Sequence, residues 1–225
     1  MKASQLLTHL KKKGNPRNRE GMARFGINTK NAYGVAIPEL RRLARNIGMH
    51  HSLAADLWDS GVHEARILAG YIDDPLRVTD RQMEEWVHDF DSWDVCDQVC
   101  GNLFDRTDFA HRKAMEWSSR KEEYVKRAGF VLMACLAVHD KRAGKAAFEK
   151  FFPIMVRECK DDRNYVKKAV NWALRQIGKR SMALNREAIS VAETIAKVDS
   201  PSAKWIASNA LWELRSEAVQ KRLKE

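Results

Sequence analysis

The stretch Tyr124-Val125-Lys126-Arg127-Ala128 returns 41 residues later as Tyr165-Val166-Lys167-Lys168-Ala169. A looser echo follows, in which Ala173-Leu174-Arg175 is answered 40 residues on by Glu213-Leu214-Arg215. A period of about 40 to 47 residues is the spacing of helix-pair repeats of the HEAT and armadillo kind. One such pair cannot bury its apolar side alone, so successive pairs must stack, and regular stacking produces a superhelix with a concave face. The rest of the chain agrees with this reading. Only 5 prolines and 11 glycines interrupt 225 residues. Between these breakers the apolar residues recur at helical spacing, with no alternating strand pattern. The expected fold is therefore all-α, a curved solenoid of HEAT-like (ARM-like) antiparallel helix pairs.

The periodicity predicts helices over 3–13, 16–25, 38–47, 51–59, 62–73, 80–90, 93–105, 108–118, 121–139, 145–160, 163–179, 185–197 and 202–221. Pro38 suits a first helical turn, Thr79 and Ser92 suit N-caps, and Ser200-Pro201 opens the last segment. No stretch reads as a linker, so residues 1–225 are taken as one domain.

Charge narrows the partner. Forty Lys and Arg against thirty Asp and Glu leave a formal charge of +10. Such a surface gains affinity for a polyanion by releasing counterions from its phosphates. Hydrophobic residues make up 44% of the chain and charged ones 31%, the balance of a folded globular protein. The longest apolar run, Phe130 to Val138, falls far short of the roughly 20 residues that a membrane span needs. The N-terminus has no long apolar segment, so no secretory signal and no membrane are expected, and the compartment expected is the cytoplasm, at the nucleoid in a bacterium. Four cysteines, Cys96, Cys100, Cys135 and Cys159, occur without a CxxC pair, so no metal site is expected.

Three places carry residues that core packing explains poorly. In 164–179, Val166, Ala169, Val170, Ala173, Leu174 and Ile177 form a core stripe. Trp172 stands off it, with Lys168, Arg175 and Lys179 as its helical neighbours. It is either a recognition aromatic or a cap on the next helix with lysine stems against its ring. The 41-residue offset pairs Arg127 with Lys168, and Lys126 with Lys167. Arg127 sits in an otherwise apolar helix and needs an anionic partner, either bound or internal, for instance Asp97. In Ser92-Trp93-Asp94-Val95-Cys96-Asp97, Asp94 suits the first turn beside the helix dipole, and Val95, Val99 and Leu103 supply a buried stripe. Trp93 and Asp97, four apart, share another ridge. An aromatic plate beside a carboxylate suits a cation; otherwise Trp93 is a helix-start staple and Asp97 a solvated or Arg-paired acid. Lys126, Lys167, Lys168 and Arg175 are candidates for phosphate contacts. The other tryptophans, Trp58, Trp86, Trp117, Trp205 and Trp212, are expected in the core or between repeats. No metal-ligand, nucleophile–base or phosphate-loop motif is present.

Taken in order, Asn15-Pro16, Gly21-Met22-Ala23-Arg24-Phe25, Gly34-Val35 through Ile37-Pro38-Glu39-Leu40-Arg41-Arg42-Leu43, the Trp93-Asp94-x-x-Asp97 motif, and Tyr165-Val166-Lys167-Lys168-Ala169 with Trp172 resemble the HEAT-like-repeat DNA alkylation repair glycosylases. The resemblance covers most of the chain. It implies excision of cationic N-alkylated purines, 3-methyladenine and 7-methylguanine, from double-stranded DNA, by a monomer without cofactor or metal. It also implies that the lesion is not rotated into a deep pocket. Asp97 would be the catalytic carboxylate, Trp93 and Trp172 the aromatics of the cleft, and Arg127 its basic residue. Two positions depart from the family pattern. Phe25 stands where a tyrosine is common, which removes a hydroxyl near the DNA backbone, and Ser92 stands where a second tryptophan can occur. The alternative expectation is a non-catalytic HEAT-repeat scaffold that binds nucleic acid or protein.

Overall fold

The computed structural model describes residues 2–224, and among them there are helices and connecting turns but no strand. The fold class is that expected from the repeat, all-α and built of HEAT-like helix pairs. The packing groups the chain into two compact units, one ending at Thr107 and one beginning at Asp108.

The first unit contains α1 (Ala3–Lys12), α2 (Pro16–Arg24), α3 (Ile37–Ile47), α4 (His51–Asp59), α5 (His63–Ile72), α6 (Asp80–His88) and α7 (Trp93–Asn102), followed by a 3₁₀ turn, Phe104–Arg106. Helix starts follow the local chemistry. The Asn15 side chain accepts from the N–H groups of Arg17 and Asn18 ahead of Pro16, and Thr79 accepts from Gln82 N–H. Helix α5 is the centre on which α3, α4 and α7 pack, and eight of its residues are buried. The Trp58 and Trp86 rings stack with centroids 4.0 Å apart, and Arg66 lies over Trp58. Asp89 accepts from Trp58 Nε1 at 2.9 Å and from Arg66 at 3.0 Å, so that indole keeps its polar handle paired.

The second unit contains α8 (Ala110–Trp117), α9 (Glu123–His139), α10 (Lys145–Glu149), α11 (Phe152–Glu158), α12 (Asn164–Gly178), α13 (Met182–Ala196), α14 (Pro201–Leu214) and α15 (Glu217–Arg222). Helix α9 lies between α8 and α12 and is buried continuously from Arg127 to Ala137. Its apolar run therefore belongs to a central helix covered on several sides. A Cβ at Gly129 would stand 2.4 Å from Ser118 N, so only glycine lets the end of α8 come this close.

The repeat is visible as contacts between residues about one period apart. Tyr124 stacks on Tyr165 with ring centroids 5.9 Å apart, and Arg163 donates to Lys121 O at 2.6 Å. One repeat further, Ser202 Oγ donates to Asp161 O at 2.7 Å and Asn171 to Asn209 at 3.1 Å.

Helix boundaries differ from the periodic reading where a local stop outweighs the apolar pattern. The predicted helix 145–160 breaks into α10 and α11, because Pro153 belongs in a first turn, where its missing N–H costs nothing. The segment 202–221 breaks before Ser216, whose side chain accepts from Val219 N–H and starts α15. The segment 93–105 ends at Asn102. Trp205 and Trp212 also differ from expectation, being 38% and 78% exposed. Helix α14 packs through Ala203, Ile206, Ala207, Ala210 and Leu214, a narrow stripe of mostly small residues from which both tryptophans are excluded.

Candidate functional site

Helix α7 is anchored by the loop that follows α2. Ser92 occupies its N-cap position with extended backbone, yet its side chain makes no cap. The hydroxyl accepts from Asn28 N–H at 3.0 Å and donates to Asp91 Oδ1 at 3.2 Å. A backbone donor 64 residues away has taken the oxygen that the local pattern would assign to the helix. Asn28 Nδ2 also donates to Asp91 Oδ2 at 2.7 Å. Trp93 Nε1 donates to Phe25 O at 3.0 Å, which fixes the indole, while the Phe25 ring itself is 72% exposed.

The two carboxylates of the Trp-Asp-x-x-Asp motif have different surroundings. Asp94 is buried and meets His63 Nε2 at 2.9 Å, where the sequence suggested only a first-turn acid beside the dipole. Asp97, one turn beyond Trp93, is half-buried as Trp93 is, while Val95, Cys96, Val99, Cys100 and Leu103 form the buried stripe. Burial opposes a charge on the His63 ring. The hydrogen bond and charge of Asp94, with the charges of Glu64 and Asp91, outweigh it and hold the pKa above the ordinary 6.5. A raised folded-state pKa contributes stability that is fully present below about pH 6.5 and lost as pH rises through the folded value. Wild type should therefore exceed His63→Gln in denaturant stability by more at about pH 6 than at about pH 9. A gap that stays constant across that window would refute the linkage.

Glu64, 1% exposed, accepts from three consecutive backbone donors: Tyr33 N at 2.9 Å, Gly34 N at 2.6 Å and Val35 N at 3.2 Å. Gly34 has φ +81°, and a Cβ there would stand 2.2 Å from Asn15 O. The loop before α3 is thus folded around one carboxylate and one glycine. Together with Met22, Phe25, Ile27, Ile67 and Trp93 this loop walls a cavity of about 620 Å³. Sequence reasoning missed His63 and Glu64. An acid in the first turn of a helix reads as a solvated dipole partner, and only the fold shows what covers it.

The remaining predicted residues lie in the second unit. Arg127 is buried, 6% exposed, and its Nη1 donates to Tyr165 O at 2.6 Å. Trp172 is half-buried and stands off the fully buried stripe of α12, as the periodicity predicts. Lys168 is exposed, and Lys167 Nζ lies 5.2 Å from the centre of the Trp205 ring. Lys126 is held between Glu158 at 2.6 Å and Asp161 at 3.3 Å. Arg175 pairs with Glu213, which Lys179 also reaches. Burial pushes the Glu213 pKa up, but Lys179 and Arg175 together pull it below the usual carboxylate value. Of the four candidate phosphate contacts, Lys126 and Arg175 thus hold internal ion pairs, and Lys168 and Lys167 lie on the surface of α12.

The profile of a protein family described as "DNA alkylation repair enzyme" matches residues 6–203. No curated protein matches the sequence. A solved structure described as belonging to "a new family of proteins related to the HEAT-like repeat DNA glycosylases with affinity for branched DNA structures" superposes with a TM-score of 0.79. That likeness has 21% identity and covers 99% of this chain and 96% of that one, which establishes a shared fold. A second solved structure, described as an engineered protein, has a TM-score of 0.40 at 14% identity over 78% of this chain and 90% of its own, too low to carry an argument.

Proposed function

The chain belongs to the DNA alkylation repair enzyme family, and on that premise we propose that it is a DNA glycosylase excising cationic N-alkylated purines, 3-methyladenine and 7-methylguanine, from duplex DNA. The observation that carries the reading is the shared ridge of Trp93 and Asp97 on α7, both half-buried. Asp94 is committed to His63 inside the first unit, and Asp97 is the carboxylate that shares a ridge with Trp93. Glycoside hydrolysis normally takes two carboxyl groups, one of them protonating a poor leaving group. An N-alkylated purine is already cationic and leaves without a proton, so one carboxylate suffices. Asp97 stabilises the positive charge that develops on the deoxyribose and orients the attacking water. Trp93 adds contacts to the cationic base and sugar, about 0.5–2 kcal/mol.

Lys168 and Lys167 are the first phosphate contacts, with Lys126 and Arg175 contributing only once their carboxylate partners give way. Log affinity for undamaged duplex should fall with log salt by about 0.9 per phosphate neutralised. Lys168→Ala should lower that slope by roughly one such unit and weaken binding alike on unrelated sequences. An unchanged slope, or a marked sequence preference, would remove Lys168 from the interface.

The second reading, a binder without catalysis, is favoured by two observations. Two of the four candidate phosphate contacts are neutralised internally, and the fold is shared with a protein of a family with affinity for branched DNA. Release of 7-methylguanine from duplex under single-turnover conditions supports the glycosylase. Duplex binding with no release of any alkylated purine supports the binder.

A further inference from the structure

We propose that the outer surface of α12 and α14 binds unpaired DNA bases, with Trp212 and Trp205 as stacking platforms. The inference rests on the reading of the chain as a DNA-binding protein and adds a second ligand, nucleotides outside the duplex.

The two tryptophans stand seven residues apart on α14, which is two helical turns, so they share a side of the helix about 10.5 Å apart along its axis. Neither contributes to the stripe through which α14 packs, and Trp212 is 78% exposed. An indole in water forgoes the large burial that aromatic side chains usually gain, so two on one helical side point to a ligand that covers them. They also continue the repeat. Tyr124, Tyr165 and Trp205 stand at successive intervals of 41 and 40 residues, and Trp172 and Trp212 are again 40 apart. Tyr124 and Tyr165 spend their ring faces on each other. At the last repeat the aromatic positions are turned outward.

Charge selects the ligand. Lys167 Nζ lies over the Trp205 ring, Lys168 is exposed on the neighbouring helix, and Lys204 stands one residue before Trp205, paired with the fully exposed Asp199. Glu213, the acid next to Trp212, is drawn inward by Arg175 and Lys179 and adds little negative charge at the surface. The Trp205 indole with Lys167 over its ring and Lys204 beside it in sequence, continued along α14 by the exposed Trp212, matches a nucleotide strand, whose bases stack while its phosphates meet the ammonium groups. In an intact duplex the base faces are already stacked on one another, so the ligand must offer unpaired bases, as in a gap, an overhang or a junction.

The test compares the full-length protein with Trp212→Ala and Trp212→Phe on two probes of the same sequence: an intact duplex, and a duplex with a short single-stranded gap carrying 2-aminopurine. Wild type should bind the gapped probe more tightly and change the 2-aminopurine fluorescence. Trp212→Ala should lose that preference by about five- to a hundredfold, with duplex affinity and unfolding midpoint unchanged, and Trp212→Phe should restore much of it. Equal wild-type affinity for both probes overturns this inference alone. So does a Trp212→Ala variant that keeps the preference, or a wild-type dimer that Trp212→Ala dissociates. Binding to neither probe overturns the DNA-binding reading as well.

Discussion

Asp97→Asn should excise 7-methylguanine about two to three orders of magnitude more slowly than wild type under single-turnover conditions, with duplex affinity unchanged. The substitution preserves shape and removes the charge that would face the developing oxocarbenium. One preorganised electrostatic group is typically worth roughly 3–4 kcal/mol in the transition state and little in the ground state. The same argument fixes the substrate range. With no general acid assigned, wild type should release cationic 7-methylguanine or 3-methyladenine and leave neutral uracil in place. Rapid uracil release would defeat the leaving-group argument, and an Asn variant of full activity would remove Asp97 from the mechanism. Asp94→Asn makes the matched control. Its partner is the buried His63, so the change should appear in stability and its pH dependence before it appears in the chemical step.

Glu64→Ala should cost the first unit about 3–5 kcal/mol, the scale of breaking a buried, hydrogen-bonded charge. Three backbone N–H groups, those of Tyr33, Gly34 and Val35, lose one shared acceptor, and each buried unpaired donor costs roughly 1–3 kcal/mol before water relieves it. Glu64→Gln keeps one oxygen but turns an amide donor towards the same N–H groups, so it should fall between wild type and Ala. Chemical denaturation of the three proteins, followed by tryptophan fluorescence, makes the comparison. An Ala variant within about 1 kcal/mol of wild type would mean that the loop holds its shape without the carboxylate. The effect reaches function through Phe25 and Trp93, since the loop around Glu64 helps wall the cavity that they line.

The helical class, the repeat, and the core stripes of α7 and α12 were legible in the residues alone, because each rests on periodicity within one or two turns. The same is true of the Thr79 and Ser200 caps, and of Trp172 standing off its stripe, since a helix decides by itself which residues share a face. The tertiary structure decided what each polar group pairs with. Ser92 has a cap's position, but its hydroxyl belongs to Asn28, and Asp94 has a first-turn acid's position, but its carboxylate belongs to His63. Lys126 and Arg175 read as surface cations until Glu158, Asp161 and Glu213 arrive from 32 to 38 residues away. Trp212 reads as core because it is a tryptophan, yet it stands off the stripe through which α14 packs and is 78% exposed. A side chain's face is set by its neighbours along the helix, whereas its partner is set by whichever distant group the fold brings within about 3 Å, and that distance is written in no local pattern.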